Sequence, residues 1–169
     1  MTDEVAARRL VLVPLTLDDA GEMVAVLAGD ELYAFTGGRP PTFPELRARY
    51  AGQVIGHSAD GTQEWRNWII RLVTDLTAVG YVQATVVDDG LRAEIAWVVG
   101  RAWQGQGYAK EAAAALMGWL YARGVRIFQA HIHPGNAASA AVARHAGLLP
   151  TGQFQEGEQL WLKEATPQA

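Results

Sequence analysis

The segment Gln104 to Ala109, which reads Gln-Gly-Gln-Gly-Tyr-Ala, offers the clearest chemistry in this chain. It joins a run typical of a strand, 93–99, to an alanine-rich run with helical spacing, 109–120. A glycine turn that opens a helix leaves several backbone N–H groups without partners inside the helix. Those donors and the positive end of the helix dipole bind phosphate groups. The sequence therefore predicts a ligand with a phosphate or pyrophosphate at this turn.

Two common phosphate-binding motifs do not fit the turn. The dinucleotide-binding fingerprint needs a third glycine three residues after the second, where this chain has Lys110. The phosphate loop of nucleoside triphosphatases ends in Gly-Lys-Ser/Thr, which the chain lacks. A dinucleotide or a nucleoside triphosphate is therefore disfavoured as the ligand.

The residue types limit the remaining chemistry. The chain has no cysteine, which excludes a disulfide framework, a thiolate metal site and a cysteine nucleophile. His131 and His133 flank Ile132 and would share one face of a strand. A metal site needs a third ligand, and neither His57 nor His145 has a spacing that supplies one, so we predict no metal. One of the pair could assist proton removal, but we favour the interpretation of both as polar residues at a strand end.

Composition and charge indicate a globular protein that does not bind nucleic acid. The 169 residues carry a formal net charge of −4, whereas nucleic-acid binding relies on excess Lys and Arg. The N-terminus has acids and no long apolar run, and no segment reaches the length of a membrane span. We therefore expect one domain, 1–169, in the cytoplasm and without membrane contact.

Periodicity, caps and turns predict the elements that position these residues. Thr16 and Thr42 each precede an acidic residue by three positions, which is typical of a helix start, and Asp88-Asp89-Gly90 predicts a hairpin. The pattern indicates an α/β fold with a mixed, largely antiparallel sheet. The predicted strands are 8–14, 65–73, 79–87, 91–99, 125–132, 148–154 and 160–163, and the predicted helices are 17–27, 42–55, 109–123 and 136–146.

Over nearly its whole length the chain resembles the GNAT superfamily of acyl-CoA-dependent N-acetyltransferases. That family carries the signature Arg/Gln-x-x-Gly-x-Gly/Ala between its fourth strand and third helix, and 104–109 matches every specified position. The segments 9–12, 93–97 and 136–139 resemble the branch that contains the acetyltransferases of ribosomal-protein N-termini. The resemblance implies a sheet that splits into a V-shaped cleft, flanked by about four helices. The cleft walls would be 91–99, which carries a bulge in the family, and 125–132.

The same resemblance implies acetyl-CoA as the co-substrate. Its pyrophosphate would bind the backbone N–H groups of 105–109, and its pantetheine arm would follow the end of the strand before the turn as an added strand does. The alternative for Arg144 is a solvated position on its helix, and the alternative for Tyr108 is packing at the helix start. The predicted coenzyme contacts are Trp97, Val98, Val99, Gln104, Gly105, Gln106, Gly107, Tyr108, Ala109, Asn136 and Arg144.

The resemblance also assigns catalytic roles to Glu94 and Ser139. Glu94 on the cleft wall would accept a proton from the amine, directly or through water, unless it pairs with a nearby Arg92 or Arg71. Ser139 would stabilise the departing thiolate, although Asn136 and Ser139 also fit an ordinary helix N-cap and its third residue. Without a cysteine, we expect the amine to attack acetyl-CoA directly in a ternary complex.

The acceptor amine is the least constrained part of the prediction. The resemblance places it against the loop 33–41, where Tyr33, Phe35 and Arg39 are candidate contacts, with Phe43 close behind. Both a peptide N-terminus and a small amine remain open as acceptors. For the oligomeric state, we consider a homodimer. A different class of function, a sensor that binds a CoA thioester without turnover, is the alternative.

Overall fold

The computed structural model describes residues 3–166 as eight strands and four α-helices, joined by turns, loops and four short 3-10 helices. Every predicted strand and helix is present, with boundaries shifted by a few residues, and one short strand, β1, comes in addition. The strands are β1 Val5–Ala6, β2 Leu10–Pro14, β3 Glu64–Leu72, β4 Ala78–Val87, β5 Arg92–Val99, β6 Ile127–Ile132, β7 Leu149–Gln155 and β8 Glu158–Glu164. The helices are α1 Ala20–Val26, α2 Phe43–Gln53, α3 Tyr108–Ala122 and α4 Ala137–His145.

The strands form one open sheet in the order β1-β2-β3-β4-β5-β6-β8-β7. Among residues 3–166, β5 and β6 make the one parallel pair, and every other neighbouring pair is antiparallel. This arrangement confirms the predicted mixed α/β fold with a largely antiparallel sheet. Asp88 and Asp89 form the tight turn between β4 and β5, with φ angles of 54° and 53°.

The predicted caps hold the helix starts in place. The Asn136 side chain accepts a hydrogen bond from the Ser139 N–H at 3.1 Å, and Thr42 Oγ1 accepts one from the Glu45 N–H at 3.4 Å. The Thr16 N–H donates to the Asp19 carboxylate at 2.8 Å. These bonds satisfy backbone or capping groups that a helix start leaves free.

The helices cover opposite faces of the sheet. Met23 of α1 and Leu46 of α2 are buried with Ile69 of β3, whereas Leu116 of α3 is buried in a second cluster with Trp68 and Ile70. Because side chains alternate along a strand, Ile69 faces one side of the sheet and its two neighbours face the other. We call the side of Ile69 the α1/α2 face.

The sheet splits between its two parallel strands. β5 pairs with β6 only from Arg92–Ile127 to Glu94–Gln129, although both strands continue beyond those residues. The rest of β5 stays paired with β4, and the rest of β6 stays paired with β8. The two walls therefore diverge into the expected V-shaped cleft, with Glu94 and Gln129 at its apex.

The bulge expected in the first cleft wall is absent. The pairing of β4 with β5 runs unbroken from Gly80–Val99 to Val87–Arg92. Register irregularities lie instead between β3 and β4, at Ile70 and Arg71, and between β7 and β8, at Pro150 and Phe154. The backbone at the end of β5 packs directly against Gly80. A Cβ added to Gly80 would lie 2.1 Å from the Val98 carbonyl oxygen.

Candidate active site

Glu94 lies at the apex of the cleft on the α1/α2 face, since its neighbours Ala93 and Ile95 are buried on the side of α3. Its Oε2 accepts a hydrogen bond from Gln129 Nε2 at 2.7 Å, and its Oε1 is 2.7 Å from His131 Nδ1. The Glu94 side chain is 34% exposed, so it stays accessible from the cleft. Glu94 is thus held by two side chains of the opposite wall.

The alternative pairing of Glu94 with a nearby arginine is wrong. Arg92 contacts Asp88 at 3.1 Å and the Gln129 side-chain oxygen at 3.0 Å. Arg71 is ion-paired with Asp19 at 2.8 Å and with Glu22 at 3.0 Å. Both arginines are engaged elsewhere, which leaves Glu94 to the two β6 side chains.

His131 is a member of the site that the sequence analysis treated as a polar strand end. An ionised carboxylate only accepts hydrogen bonds, so a carboxylate at Glu94 places the His131 proton on Nδ1. Nε2 then keeps its lone pair and can accept a proton. The same carboxylate stabilises the imidazolium that results, as in the Asp–His part of a catalytic triad.

The glycine turn presents free backbone donors beside the wide end of the cleft. Gly105 and Gly107 have φ angles of 79° and 82°, a left-handed conformation that favours glycine. Gly107 is the N-cap of α3, so the N–H groups of Tyr108 and Ala109 begin the helix without intrahelical partners. The Gln104 side chain donates to the Val99 carbonyl at 2.9 Å, which ties the turn to β5. Gln106 lies exposed between the two glycines.

Arg9 braces this turn, a role that the sequence analysis missed. Its Nη1 donates to the Gln106 carbonyl at 2.9 Å, and its guanidinium lies 4.7 Å from the centre of the Tyr108 ring. Its Nε pairs with Glu111 at 2.8 Å, and this pairing lowers the pKa of the Glu111 carboxyl against the opposing effect of burial. The partners are about a hundred residues apart in sequence, and no local pattern links them.

The coenzyme-facing predictions on β5 and α4 lie around the cleft. Trp97, Val98 and Val99 occupy the diverging end of β5, beyond its last pair with β6. Asn136 and Ser139 lie at the start of α4, which follows β6 directly. Arg144 sits at the far end of α4, 5.0 Å from the centre of the Trp161 ring, and this contact gives it a packing role.

Two of the three predicted acceptor contacts have partners within the protein. The Tyr33 hydroxyl donates to the Leu27 carbonyl at 3.1 Å. Arg39 is ion-paired with Glu45 of α2 at 2.8 Å, so its guanidinium is already engaged by a carboxylate of the protein. Phe35 lies 41% exposed against His133, with ring centres 5.1 Å apart.

The loop between α1 and α2 bridges the wide end of the cleft. On the β5 side, Glu31 is ion-paired with Arg101, which follows the strand. On the β6 side, Phe35 contacts His133, which follows that strand. The loop therefore joins both walls on the α1/α2 face and limits how an acceptor can enter.

No group of three or more His, Cys, Asp and Glu side chains is arranged to hold a metal ion within residues 3–166.

In that same range, no helix is long and apolar enough to cross a membrane.

Comparison with known proteins identifies the fold and the family. A family model described as an acetyltransferase (GNAT) domain matches residues 9–149. RimL, a ribosomal alpha-N-protein acetyltransferase solved with coenzyme A, is 17% identical with a TM-score of 0.81 over 96% of this chain and 98% of that chain. RimJ from Mycobacterium smegmatis, solved with a CoA disulfide, is 21% identical with a TM-score of 0.80 over 96% and 88%.

Relatives of this fold act on different amines. A chimera of the spermidine N-acetyltransferase SpeG from Vibrio cholerae and hSSAT is 15% identical with a TM-score of 0.75, over 93% of this chain and 96% of that chain. No curated protein is significantly similar to the chain in sequence. At these identities the solved structures establish the shared fold and leave the acceptor of this chain open.

Proposed function

The chain belongs to the GNAT acetyltransferase family, and from that premise we propose that it transfers an acetyl group from acetyl-CoA directly to a primary amine in a ternary complex. The observation that carries the proposal is the Glu94–His131 pair at the apex of the cleft. This pair lies where the two walls part, between the glycine turn on one side and the α1/α2 face on the other. A base at this point lies between the proposed acetyl-CoA site and the proposed site of the acceptor amine.

The residues present fit the donor acetyl-CoA. Free N–H groups at the start of α3 suit the pyrophosphate. The end of β5, parted from β6, leaves backbone groups at Trp97, Val98 and Val99 that suit the amides of the pantetheine arm. Acetyl-CoA supplies the activated acyl group as a thioester, and the chain supplies position and proton transfer. A coenzyme contact by Arg144 stays a prediction, beside its packing on Trp161.

The amine is prepared by the Glu94–His131 pair. An N-terminal amine has a pKa of about 8 and is mostly protonated at neutral pH, so it needs a base before it can attack. The ammonium group first gives one proton to His131 Nε2, directly or through water, and the imidazolium returns it to solvent. The neutral amine then attacks the thioester carbonyl. As the nitrogen–carbon bond forms and the carbon–sulfur bond breaks, the second proton leaves through the same histidine or goes to the departing thiolate. The Glu94 carboxylate holds the ring in place and stabilises its positive charge. Glu94 therefore acts in the predicted proton transfer through its histidine partner.

Ser139 is proposed to stabilise the thiolate that leaves. Its backbone N–H is used by the Asn136 cap, so its hydroxyl is the group that remains for this role. We expect Ser139→Ala to lower kcat by about tenfold, the effect of losing one hydrogen bond to a charged group. Steady-state kinetics with acetyl-CoA would measure the change. The helix start keeps its Asn136 cap, so an unchanged kcat would mean that Ser139 serves only the helix.

We propose a peptide N-terminus as the acceptor, ahead of small amines. The likeness to the ribosomal alpha-N-protein acetyltransferase supports this order. A cytoplasmic location, a single domain over 1–169 and a homodimer stay predictions from the sequence.

The proposed function is tested by thiol release. Acetyl-CoA is mixed with the protein and a panel of short peptides, amino acids, polyamines and aminoglycosides, and free CoA thiol is measured with a chromogenic reagent. We expect amine-dependent release and an acetylated amine whose mass is greater by about 42 Da, because an acetyl group replaces one hydrogen. Binding of acetyl-CoA without release for any amine would instead support a sensor of CoA thioesters.

A further inference from the structure

We propose that a polar cavity between α2 and the strands β3 and β4 binds a carboxylate of the acceptor, so that the enzyme prefers peptides with Asp or Glu at the second or third position. This inference rests on the proposed function, since it concerns the acceptor side of the same site. It is carried by the lining of the cavity, by an arginine without a protein partner and by a buried tyrosine hydroxyl without a hydrogen bond.

The cavity lies on the α1/α2 face and begins beside Glu94. Its volume is about 360 Å³. Thr85 lines it and is the β4 residue paired with Glu94 on β5, so the two side chains are direct neighbours on one face. An acceptor whose amine reaches the cleft apex can therefore extend over β4 into this cavity. The other lining residues are Arg49, Gly52, Gln53, Trp65, Asn67, Gln83 and Ala84.

Arg49 gives the cavity its charge. It lies exposed on α2, and the structure shows no ion pair or hydrogen bond between its side chain and any of residues 3–166. Burial raises the pKa values of the Tyr33, Tyr50 and Tyr81 hydroxyls, and the positive charge of Arg49 partly opposes this increase. Arg49 is therefore close enough to act on all three hydroxyls. A cation that faces a cavity without a protein partner suits an anionic ligand group.

Tyr50 adds a hydrogen-bond donor that has no partner. Its side chain is 4% exposed, and its hydroxyl makes no hydrogen bond within the described part of the chain. Burial raises the pKa of this hydroxyl, so it keeps its proton and acts as a donor at neutral pH. A buried donor without a hydrogen bond is destabilising, and a ligand oxygen or an ordered water would remove that cost.

A second, smaller cavity beside Tyr50 shares part of its lining with the larger one. It has a volume of about 20 Å³, room for one oxygen-sized group, and is lined by Tyr50 and Tyr81. Four residues line both cavities: Arg49, Gln53, Asn67 and Gln83. The lining of the two cavities contains no Asp or Glu, so its charge disfavours polyamines and aminoglycosides and favours a carboxylate.

The position of the cavity sets the length of the acceptor. Glu94 on β5 and Trp65 on β3 both pair with Thr85 on β4, so they are two strand spacings apart, about 10 Å. An extended peptide advances roughly 3.3–3.6 Å per residue, so an acidic side chain on the second or third residue places its carboxylate at about this distance from the N-terminal amine. A free α-amino acid is too short to reach both points.

The inference is tested with matched tripeptide amides. Acetylation of Ser-Ala-Asp-amide is compared with Ser-Ala-Asn-amide, which has the same shape and no charge, with Ser-Ala-Lys-amide, and with free aspartate. For the wild-type enzyme we expect kcat/KM to be about tenfold or more higher for the Asp peptide than for the Asn peptide, the usual effect of a hydrogen bond to a charged group. Free aspartate should be a poor acceptor, whereas efficient acetylation of it would place the carboxylate site closer to Glu94.

Variants on α2 separate charge recognition from folding. Arg49→Gln should remove the preference mainly through KM, Arg49→Glu should shift it toward the Lys peptide, and Tyr50→Phe should weaken it about threefold to tenfold while the protein stays folded. Arg47→Gln is the matched control, because Arg47 is also an exposed arginine of the same helix and lines neither cavity. Arg47→Gln should leave the preference and Tm unchanged.

The outcomes distinguish the two levels of the proposal. Equal acetylation of the Asp and Asn peptides by the wild-type enzyme, with Arg49→Gln without effect, would overturn the carboxylate site and leave acetyl transfer intact. Absence of thiol release with every amine would overturn the proposed function and the carboxylate site with it.

Discussion

Replacing Glu94 with Gln is expected to lower kcat by about 10²–10⁴-fold while the affinity for acetyl-CoA stays within a few-fold. The amide keeps the size of the side chain but removes the negative charge that stabilises a protonated His131, whose Nδ1 is 2.7 Å from Glu94 Oε1. Glutamine also brings a second amide against Gln129, which now donates to the carboxylate at 2.7 Å. The loss should therefore fall on proton transfer. Steady-state kinetics would measure kcat, and calorimetric titration would measure acetyl-CoA binding.

The pH dependence of this defect identifies its cause. Above pH of about 8 an N-terminal amine loses its proton without help, so the ratio of wild-type to Glu94→Gln activity should decrease as the pH rises. If Glu94 and His131 act as one unit, the double variant Glu94→Gln, His131→Gln should be about as slow as the slower single variant.

Glu64→Gln serves as the matched control for the lost charge. Glu64 begins β3, pairs with Arg66 and lies in register with Val86 and Ala93, whose side chains are buried on the α3 side of the sheet. It therefore faces away from Glu94, and its replacement should leave kcat unchanged. If Glu94→Gln retained wild-type kcat across the pH range, Glu94 would have no part in proton transfer.

The fold could be predicted because its signals are local. The Asn136 cap, the Asp88-Asp89-Gly90 turn and the alternating strands each depend on a few adjacent residues, and all are present. β1 was missed because it has only two residues, too few for a periodic pattern. The sequence thus contained enough local information for the order of the elements.

The partners of the site residues could not be predicted in the same way. The sequence suggested nearby Arg92 as a partner for Glu94, whereas the actual partners, Gln129 and His131, lie 35 and 37 residues away. They meet Glu94 because the parallel pairing of β5 and β6 brings Glu94 opposite Gln129, a register that only the folded sheet defines. Arg9 at the glycine turn and Arg49 on α2 were missed for the same reason, since their roles depend on packing between distant elements.

Replacing Gly80 with Ala is the second change with a large expected effect. Gly80 is buried in β4 opposite Val99, and an added Cβ would lie 2.1 Å from the Val98 carbonyl oxygen and 2.9 Å from the Val99 Cα. Both atoms belong to the backbone and cannot rotate away, so the end of β5 must move. Overpacking of this kind costs about 1–3 kcal/mol, which should lower Tm by roughly 2–12 °C.

The same displacement should weaken the donor site, because the end of β5 is the wall proposed to hold the pantetheine arm. The Gly100 N–H donates to the Val79 carbonyl at 2.8 Å, so a shift of this strand end also moves the chain that leads to the glycine turn. We expect acetyl-CoA to bind Gly80→Ala at least about tenfold more weakly, a change of roughly 1.4 kcal/mol, measured on protein that is still folded at 25 °C.

Gly118→Ala provides a control with the opposite sign. Gly118 lies exposed in α3, and an added Cβ there meets no atom within 4 Å. Alanine in a helix is about 0.8–1.0 kcal/mol more favourable than glycine, so this variant should be slightly more stable than the wild type and bind acetyl-CoA equally well.

If Gly80→Ala matched Gly118→Ala in Tm and in acetyl-CoA affinity, the close approach of β5 to Gly80 would not shape the cleft. If Gly80→Ala lost stability but kept its affinity, the strand end would serve folding alone, and the pantetheine arm would have to bind elsewhere along the cleft.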